Sequence, residues 1–371
     1  MRYLPLVFLI AAPAWGQSGP RVQFSHTTEN LRGVSAVSRQ VAWASGTHGT
    51  YLRTIDGGRT WTPALVPDAG ALDFRAVVAF SADAAFLMSA GPGEQSRIYH
   101  TSDAGRHWQL QFTNTNPKGF FDAMVFWDSK HGVVLGDPIP DEFGKPKFEV
   151  LLTDDGQNWR PVPAAQLPAA MEGEGAFAAS NTCLAIMRGG SDRNIWFATG
   201  GKIARVFHSA DLGQSWQVYE TPMVHGPDSA GIFSIAFRDA THGVIAGGDY
   251  KRAKDDGPNL AFTEDGGKSW ALPPLHPLAY FSAVAYDRRV NEEAIREGLV
   301  AGSEKKIRVE PIPAERLFIV GEDFVFDLRP PNNPRRIGGK KKLGIRFNAV
   351  SAYPEGGALV VGPKGAMAFV P

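Results

Sequence analysis

An apolar residue, replaced once by Asn181, one variable position and two small or aliphatic residues open a strand seven times along the chain. The series is Leu31-Arg32-Gly-Val, Phe74-Arg75-Ala-Val, Phe121-Asp122-Ala-Met, Asn181-Thr182-Cys-Leu, Phe233-Ser234-Ile-Ala, Phe281-Ser282-Ala-Val and Phe347-Asn348-Ala-Val. A second apolar strand ending in glycine usually follows, as in Val41 to Gly46, Val244 to Gly247, Leu317 to Gly321 and Leu359 to Gly362. Short strands recurring at one interval predict an all-β fold built by radial repetition, which limits exposed sheet edges.

A second repeat lies downstream of five of these strands. It reads Thr54-Ile-Asp56-Gly-Gly58-Arg-Thr-Trp61, Thr101-Ser-Asp103-Ala-Gly105-Arg-His-Trp108, Leu152-Thr-Asp154-Asp-Gly156-Gln-Asn-Trp159, Ser209-Ala-Asp211-Leu-Gly213-Gln-Ser-Trp216 and Thr263-Glu-Asp265-Gly-Gly267-Lys-Ser-Trp270. The third lacks the leading hydroxyl. In each, the carboxylate can accept backbone N–H groups across a tight turn, the glycine can take positive φ, and the tryptophan can wedge between sheets. The aspartates are therefore read as structural, on hairpins between third and fourth strands. A period of about 50 residues suits a four-stranded antiparallel blade. Seven inner strands then predict a seven-bladed β-propeller as a single domain over residues 17–371. Only about three strands of sequence are left for the last blade, so the alternating segment Val22 to Thr27 is expected to supply its missing strand and close the ring. The sixth blade has no such turn motif and carries an insertion at about 287–313, in which Val290 to Leu299 looks helical.

These turn motifs resemble the Asp-box (BNR) repeats of sialidase-like propellers, and across most of the chain the blade pattern is similar to the photosystem II assembly and stability factor-like family. That resemblance implies a non-catalytic scaffold, without an obligatory cofactor, that holds a protein client. It does not carry over the client, because similar propellers occur in bacteria without photosystems.

Composition narrows the function classes. The chain has 371 residues, 43% hydrophobic and 20% charged, as a globular protein with a large core requires. Its 38 basic and 38 acidic residues cancel, so no global field favours nucleic acid or an anionic membrane. Residues 1–16 have one early cation (Arg2), an apolar run from Tyr3 to Pro13, and small residues at Ala14 and Gly16, which reads as a cleavable signal peptide. The alternative, an uncleaved anchor, is disfavoured because the run falls short of the ~20 residues a spanning helix needs. A secreted or periplasmic monomer is expected. Cys183 is the only cysteine, so no disulfide framework follows.

The candidate site lies at one end of the channel and in the longer loops of the same face. The variable position of the inner strands places Arg32, Arg75, Asp122, Thr182, Ser234, Ser282 and Asn348 in a ring. Two readings stand there: the ring residues pair with one another and with water, or Arg32 and Arg75 grip a carboxylate of a partner. The loops hold Gly136-Asp137-Pro138, Glu172-Gly-Glu174 with Asn181, His225, and Asp249-Tyr250-Lys251-Arg252. Arg32, Arg75, Asp122, Asp137, Glu174, Asn181, Asp249, Tyr250 and Arg252 are the expected contacts for a protein or peptide. A basic run, Arg335-Arg336 with Lys340 to Lys342 and Arg346, lacks the interleaved aromatics of a single-strand nucleic-acid platform. No histidine and cysteine set has metal-ligand spacing, and neither metal nor cofactor is expected.

The rival class is a sialidase-like glycoside hydrolase acting in the central cleft. Arg32 and Arg75 would supply two arginines of the required triad, but the repeat places no third, and Tyr250 and Tyr280 are merely present. Glu172 and Glu174, two residues apart in one loop, do not define two opposed carboxyl groups. Binding is preferred over catalysis.

Overall fold

A computed structural model describes residues 19–187, 193–274, 279–288, 316–321 and 345–371, with the backbone of Val325–Arg329 and Asn333–Ile337. The molecule is an all-β propeller with four-stranded antiparallel blades. The first sheet runs Leu31–Ala36, Ala42–Gly46, Thr50–Thr54, Thr62–Leu65, and the second Asp73–Ala79, Ala85–Ala90, Arg97–Thr101, Gln109–Thr113. The third is Phe121–Phe126, Gly132–Pro140, Pro146–Thr153, Arg160–Pro161, and the fourth Leu184–Ile186, Ile195–Ala198, Arg205–Ser209, Gln217–Glu220. Then come the fifth, built on Ala230–Phe237, Gly243–Asp249 and Leu260–Thr263, and the sixth, Phe281–Tyr286, Leu317–Gly321, Val325–Arg329, Asn333–Ile337. The last is Ala349–Ala352, Ala358–Val361, Met367–Val370 and, at its edge, Arg21–Val22.

Seven four-stranded blades are the sequence expectation, and six sheets take that form among the described residues. The exception is the fifth repeat. Its outer strand is reduced to one bridge, Phe262 with Ala271. Its inner edge gains two short strands instead, Gly200–Gly201 and Glu174–Gly175, making a five-stranded sheet. A glycine pair meets a glycine there because Gly231 has φ +147° and a Cβ on it would lie 2.3 Å from the Gly200 Cα. The N-terminal strand also differs from expectation. Arg21 pairs with Phe369 and Val22 with Ala368, Gln23 adds one amide bond to Met367, and the chain from 23 to 30 leaves the sheet.

Core clusters lie between sheets rather than within them. Val133, Phe148 and Leu152 of the third pack on Ile195, Phe197 and Phe207 of the fourth. Leu31, Ala44 and Leu52 of the first meet Ala349, Leu359 and Phe369 of the last. At ~25 cal/mol per Å² of apolar surface buried, such fully buried side chains are the main stabilising term. The expected 1–16 leader and the Val290 to Leu299 helix lie outside the described residues.

The turn motifs sit between third and fourth strands. In the first, Asp56 Oδ1 accepts from the Thr60 amide at 3.0 Å and from the Thr54 hydroxyl at 2.9 Å, while the Gly58 amide donates to Thr54 Oγ1 at 3.0 Å. The Thr60 hydroxyl on Asp56 Oδ2 at 2.5 Å, with the Thr60 amide and the Thr54 hydroxyl, holds the Asp56 carboxyl down at about 2. Asp103, Asp211 and Asp265 repeat the pattern. The tryptophans wedge variously: Trp61 Nε1 donates to Gln23 Oε1 and Trp216 Nε1 to the Gly213 carbonyl, whereas Trp270 donates to the Gly267 carbonyl. The Trp108 Nε1 has no acceptor among the described residues.

The third motif is corrected. Asp155, not Asp154, is the clasp: it accepts from the Gln157 and Asn158 amides, each at 2.8 Å, and from the Thr153 hydroxyl at 3.2 Å. Asp154 points outward to Arg160. The turn from Thr153 to Trp159 is one residue shorter than its counterparts, so the leading hydroxyl is present and the register shifts by one.

Candidate functional site

Five of the seven inner strands share a bulge near their first residues. Register shifts fall between Leu31 and Gly33, Phe74 and Ala76, Phe121 and Ala123, Ile232 and Ser234, and Phe281 and Ala283. An unpaired bulge residue is turned out of the ladder, which sets Arg32, Arg75, Asp122 and Ser282 at this end of the sheets. In the fifth sheet the bulged residue is Phe233. Ser234, expected in the ring, pairs normally with Ala246 and accepts the Val284 amide at 2.9 Å. The sequence alignment is one residue late there because Ile232, not Phe233, is the residue opposite the strand-ending glycine.

The ring is filled by the chain itself. Residues 176–182, from the connection between third and fourth sheets, run across the strand starts. The Ala176 amide donates to Asp137 Oδ1 at 2.9 Å. The Ala178 carbonyl accepts from Arg32 Nη2 at 3.2 Å and from Arg75 Nη1 at 3.1 Å, and the Ala178 backbone beside Asp122 works against the burial that raises that carboxyl. Phe177 stacks on Phe233. Ser180 Oγ donates to the Ser282 carbonyl at 2.9 Å, and Asn181 bonds both the amide (2.7 Å) and the carbonyl (2.9 Å) of Met124. Small side chains at 176, 178 and 179 let the segment fit, and Asn181 takes φ +64°, a region asparagine tolerates better than most residues. Thr182 continues into the fourth sheet, its carbonyl accepting the Ile235 amide. On the far side, Asn348 Nδ2 donates to the Leu31 carbonyl and to Asn30 Oδ1, both at 2.8 Å.

The electrostatics are those of a crowded, half-dry site. Arg75 Nε bonds Asp73 at 2.8 Å. Arg32 is lowered to about 10, first by burial and then by the neighbouring Arg75. Asp122 is 1% exposed, and burial together with the nearby Asp137 raises its carboxyl well above the usual range. Burial lifts Asp137 to about 6. Among the described residues Arg32 Nε, Asp73 Oδ1 and Asp122 Oδ2 have no hydrogen-bond partner.

The structure brings Arg32, Arg75, Asp122, Asp137 and Asn181 together around residues 176–182, and not around open space. Asp137 itself is the bulged residue of the extended strand Gly132–Pro140 rather than part of a loop. Glu174 is removed from any partner: its side chain is 0% exposed, bonded by Arg205 Nε at 3.0 Å, by Arg205 Nη2, by the Thr199 hydroxyl at 2.7 Å and by the Met171 amide at 2.8 Å. Glu172 is exposed, so the two glutamates form no facing pair. His225 Nδ1 meets the Met223 carbonyl. Asp249 caps the short 3₁₀ turn Tyr250–Arg252 by accepting from the Lys251 amide at 3.0 Å and from Arg252 Nε at 3.1 Å. Tyr250 is 45% exposed and meets Phe233 edge-on, as does the buried Tyr280. Of the basic run, Arg346 is exposed and Lys340 to Lys342 lie outside the described residues. Among the described residues no three His, Cys, Asp or Glu are grouped to hold a metal, and no helix is long and apolar enough to cross a membrane.

Residues 176–180, Asp73 and Arg205 escape the repeat-based reading. The one sequence signal for the segment is its set of small residues, Ala176, Ala178, Ala179 and Ser180, around Phe177 in a long connection between blades.

No family model and no curated protein matches the chain. Its fold is similar to the solved structure of YCF48 bound to D1 peptide, at 15% identity and TM-score 0.61 over 96% of this chain and 98% of that one. It is similar also to YCF48 from Cyanidioschyzon merolae (16%, TM-score 0.58, 95% and 98% covered) and to the WD40 beta propeller domain of Doa1 (11%, TM-score 0.58, 95% and 97%). Identities this low show a shared propeller fold.

Proposed function

We propose that this chain is an exported, monomeric, seven-bladed propeller, closed by its Arg21–Val22 strand, that binds an extended peptide segment of a protein and catalyses no reaction. One observation carries the reading: the channel end already holds a peptide, residues 176–182, through Arg32, Arg75, Asp137 and Phe233, side chains of four sheets directed at its Ala178 carbonyl, its Ala176 amide and one aromatic ring, while Ser180 and Asn181 bond main-chain atoms of Ser282 and Met124. A ring of convergent donors and acceptors aimed at main-chain atoms suits peptide recognition. The YCF48 structure of similar fold carries a D1 peptide, which agrees in kind. The exposed Tyr250 and Arg252 are assigned to the partner-facing surface, with Asp249 holding their turn.

The test is capture by the purified chain from a periplasmic and membrane extract of its source, at low and high salt, beside a Tyr250→Ala, Arg252→Ala variant. A protein retained by the parent, cross-linked through a photoreactive group at Tyr250 and lost in the variant is the expected result. Retention of no protein, with binding or cleavage of glycans, would put the hydrolase class first.

A further inference from the structure

The two arginines that dominate the channel end are spent on a neutral acceptor. Arg32 and Arg75 reach the chain from different sheets, 3.2 and 3.1 Å from one carbonyl oxygen. One carbonyl offers two lone pairs and no charge, whereas a guanidinium is suited to a carboxylate. Among the described residues Asp73 bonds only Arg75, through one oxygen. Asp122 sits in a site where its charged form is disfavoured, so it neutralises little. Around the Ala178 carbonyl, two guanidiniums are thus set against the one carboxylate of Asp73, and among the described residues Arg32 Nε has no acceptor. A buried donor without a partner costs free energy that a ligand can recover.

The segment occupying the site is fastened at both ends, and its middle is held by side-chain bonds alone, Arg32 and Arg75 on the Ala178 carbonyl and Ser180 on the Ser282 carbonyl. Asn181 fastens one end by two bonds to Met124, and Phe177 on Phe233 with Ala176 on Asp137 fasten the other. Between them only one backbone pair closes inside the segment, the Ala179 amide with the Phe177 carbonyl.

We propose that residues 176–182 are a displaceable internal ligand, the Ala178 carbonyl holding the place that a partner's carboxylate takes between Arg32 and Arg75. This rests on the peptide-binding reading and adds a mask to it. A ligand for a masked site binds with its intrinsic affinity multiplied by the fraction of molecules unmasked, so loosening the segment tightens binding without touching the ligand's contacts. A site merely lined by these arginines would show no such coupling.

The experiment measures binding of an acetylated tetra-alanine peptide with a free C-terminal carboxylate, and of its C-terminal amide, to the full chain. Asn181→Ala removes both bonds to Met124 and strains the positive-φ backbone; Phe177→Ala removes the ring stack while leaving Asn181 in place, so the pair guards against one variant failing to fold. Folded variants are expected to bind the carboxylate form about tenfold or more tighter than the parent, the amide form at least about tenfold more weakly, and Arg75→Ala in the loosened background is expected to abolish the gain. Hydrogen exchange at residues 176–182 should rise when the parent is saturated with the carboxylate peptide. Equal binding to parent and loosened variants, with exchange unchanged, overturns the mask and leaves peptide binding standing. Binding of neither peptide by any folded form overturns both.

Discussion

Phe177 lies face to face on Phe233, ring centroids 3.8 Å apart and planes 9° from parallel. One ring belongs to the segment crossing the channel and the other to the bulge of the fifth inner strand, so the stack joins a connection to the blade two repeats further round. It explains the glycines beneath it. A Cβ on Gly200 would stand 2.4 Å from Phe177 Cε2 and 2.8 Å from the Ala230 carbonyl oxygen. Gly200→Ala is therefore expected to destabilise the chain by about 1–3 kcal/mol, as overpacking against backbone does. Urea unfolding checks this, and a midpoint equal to the parent's would mean the strand pair gives way easily.

The buried Glu174–Arg205 pair offers a second measurement. Removing one partner of such a pair leaves a charge without compensation, so Glu174→Ala is expected to cost about 3–5 kcal/mol. Replacing both, as Glu174→Met with Arg205→Met, should cost much less than the sum of the singles. An additive double variant would show that the two side chains act separately, contrary to their bonded geometry.

A third prediction separates two adjacent aspartates. Asp155→Ala should lower the thermal midpoint, because four hydrogen bonds across the turn converge on that carboxylate. Asp154→Ala removes only an exposed pair with Arg160 and should leave the midpoint close to the parent's. The reverse order would restore the eight-residue alignment of the motif.

That pair of residues also marks how far periodicity carries a reader of this sequence. Strands and turn motifs are legible because each blade solves the same packing problem with the same residue types. Register within a motif is less so: one deletion in the third turn and one early bulge at Phe233 move a functional position by a single residue without changing the apolar pattern. Arg32, Arg75 and Asp122 are found because the bulge recurs. Residues 176–180 are not, since a segment that crosses a ring is specified by the side chains it meets from other blades, which no local pattern records. Glu174 reads as a partner contact for a related reason: a carboxylate in a loop reads as exposed until its arginine, from a strand in the next blade, is known.

The last prediction concerns pH and the carboxyl groups under the segment. Asp137 is held at about 6 by burial, above the ~3.9 of an unfolded aspartate. A group raised in the folded state favours folding in its protonated form, so that contribution is whole below about pH 4 and is lost as pH rises through about 6. Asp122 is shifted in the same direction and is still more buried, so the two add in sign. Asp137→Asn keeps an oxygen for the Ala176 amide and carries no charge to desolvate. Its advantage over the parent should be absent at pH 4 and reach about 1–2 kcal/mol at pH 8, less than the ~3 kcal/mol of the full shift because water reaches the partly exposed side chain. Urea midpoints of parent and variant at pH 4, 6 and 8 measure it. A difference that does not change with pH would mean that Asp137 ionises in the fold as it does in the unfolded chain, and that the amide of Ala176, not burial, governs its charge.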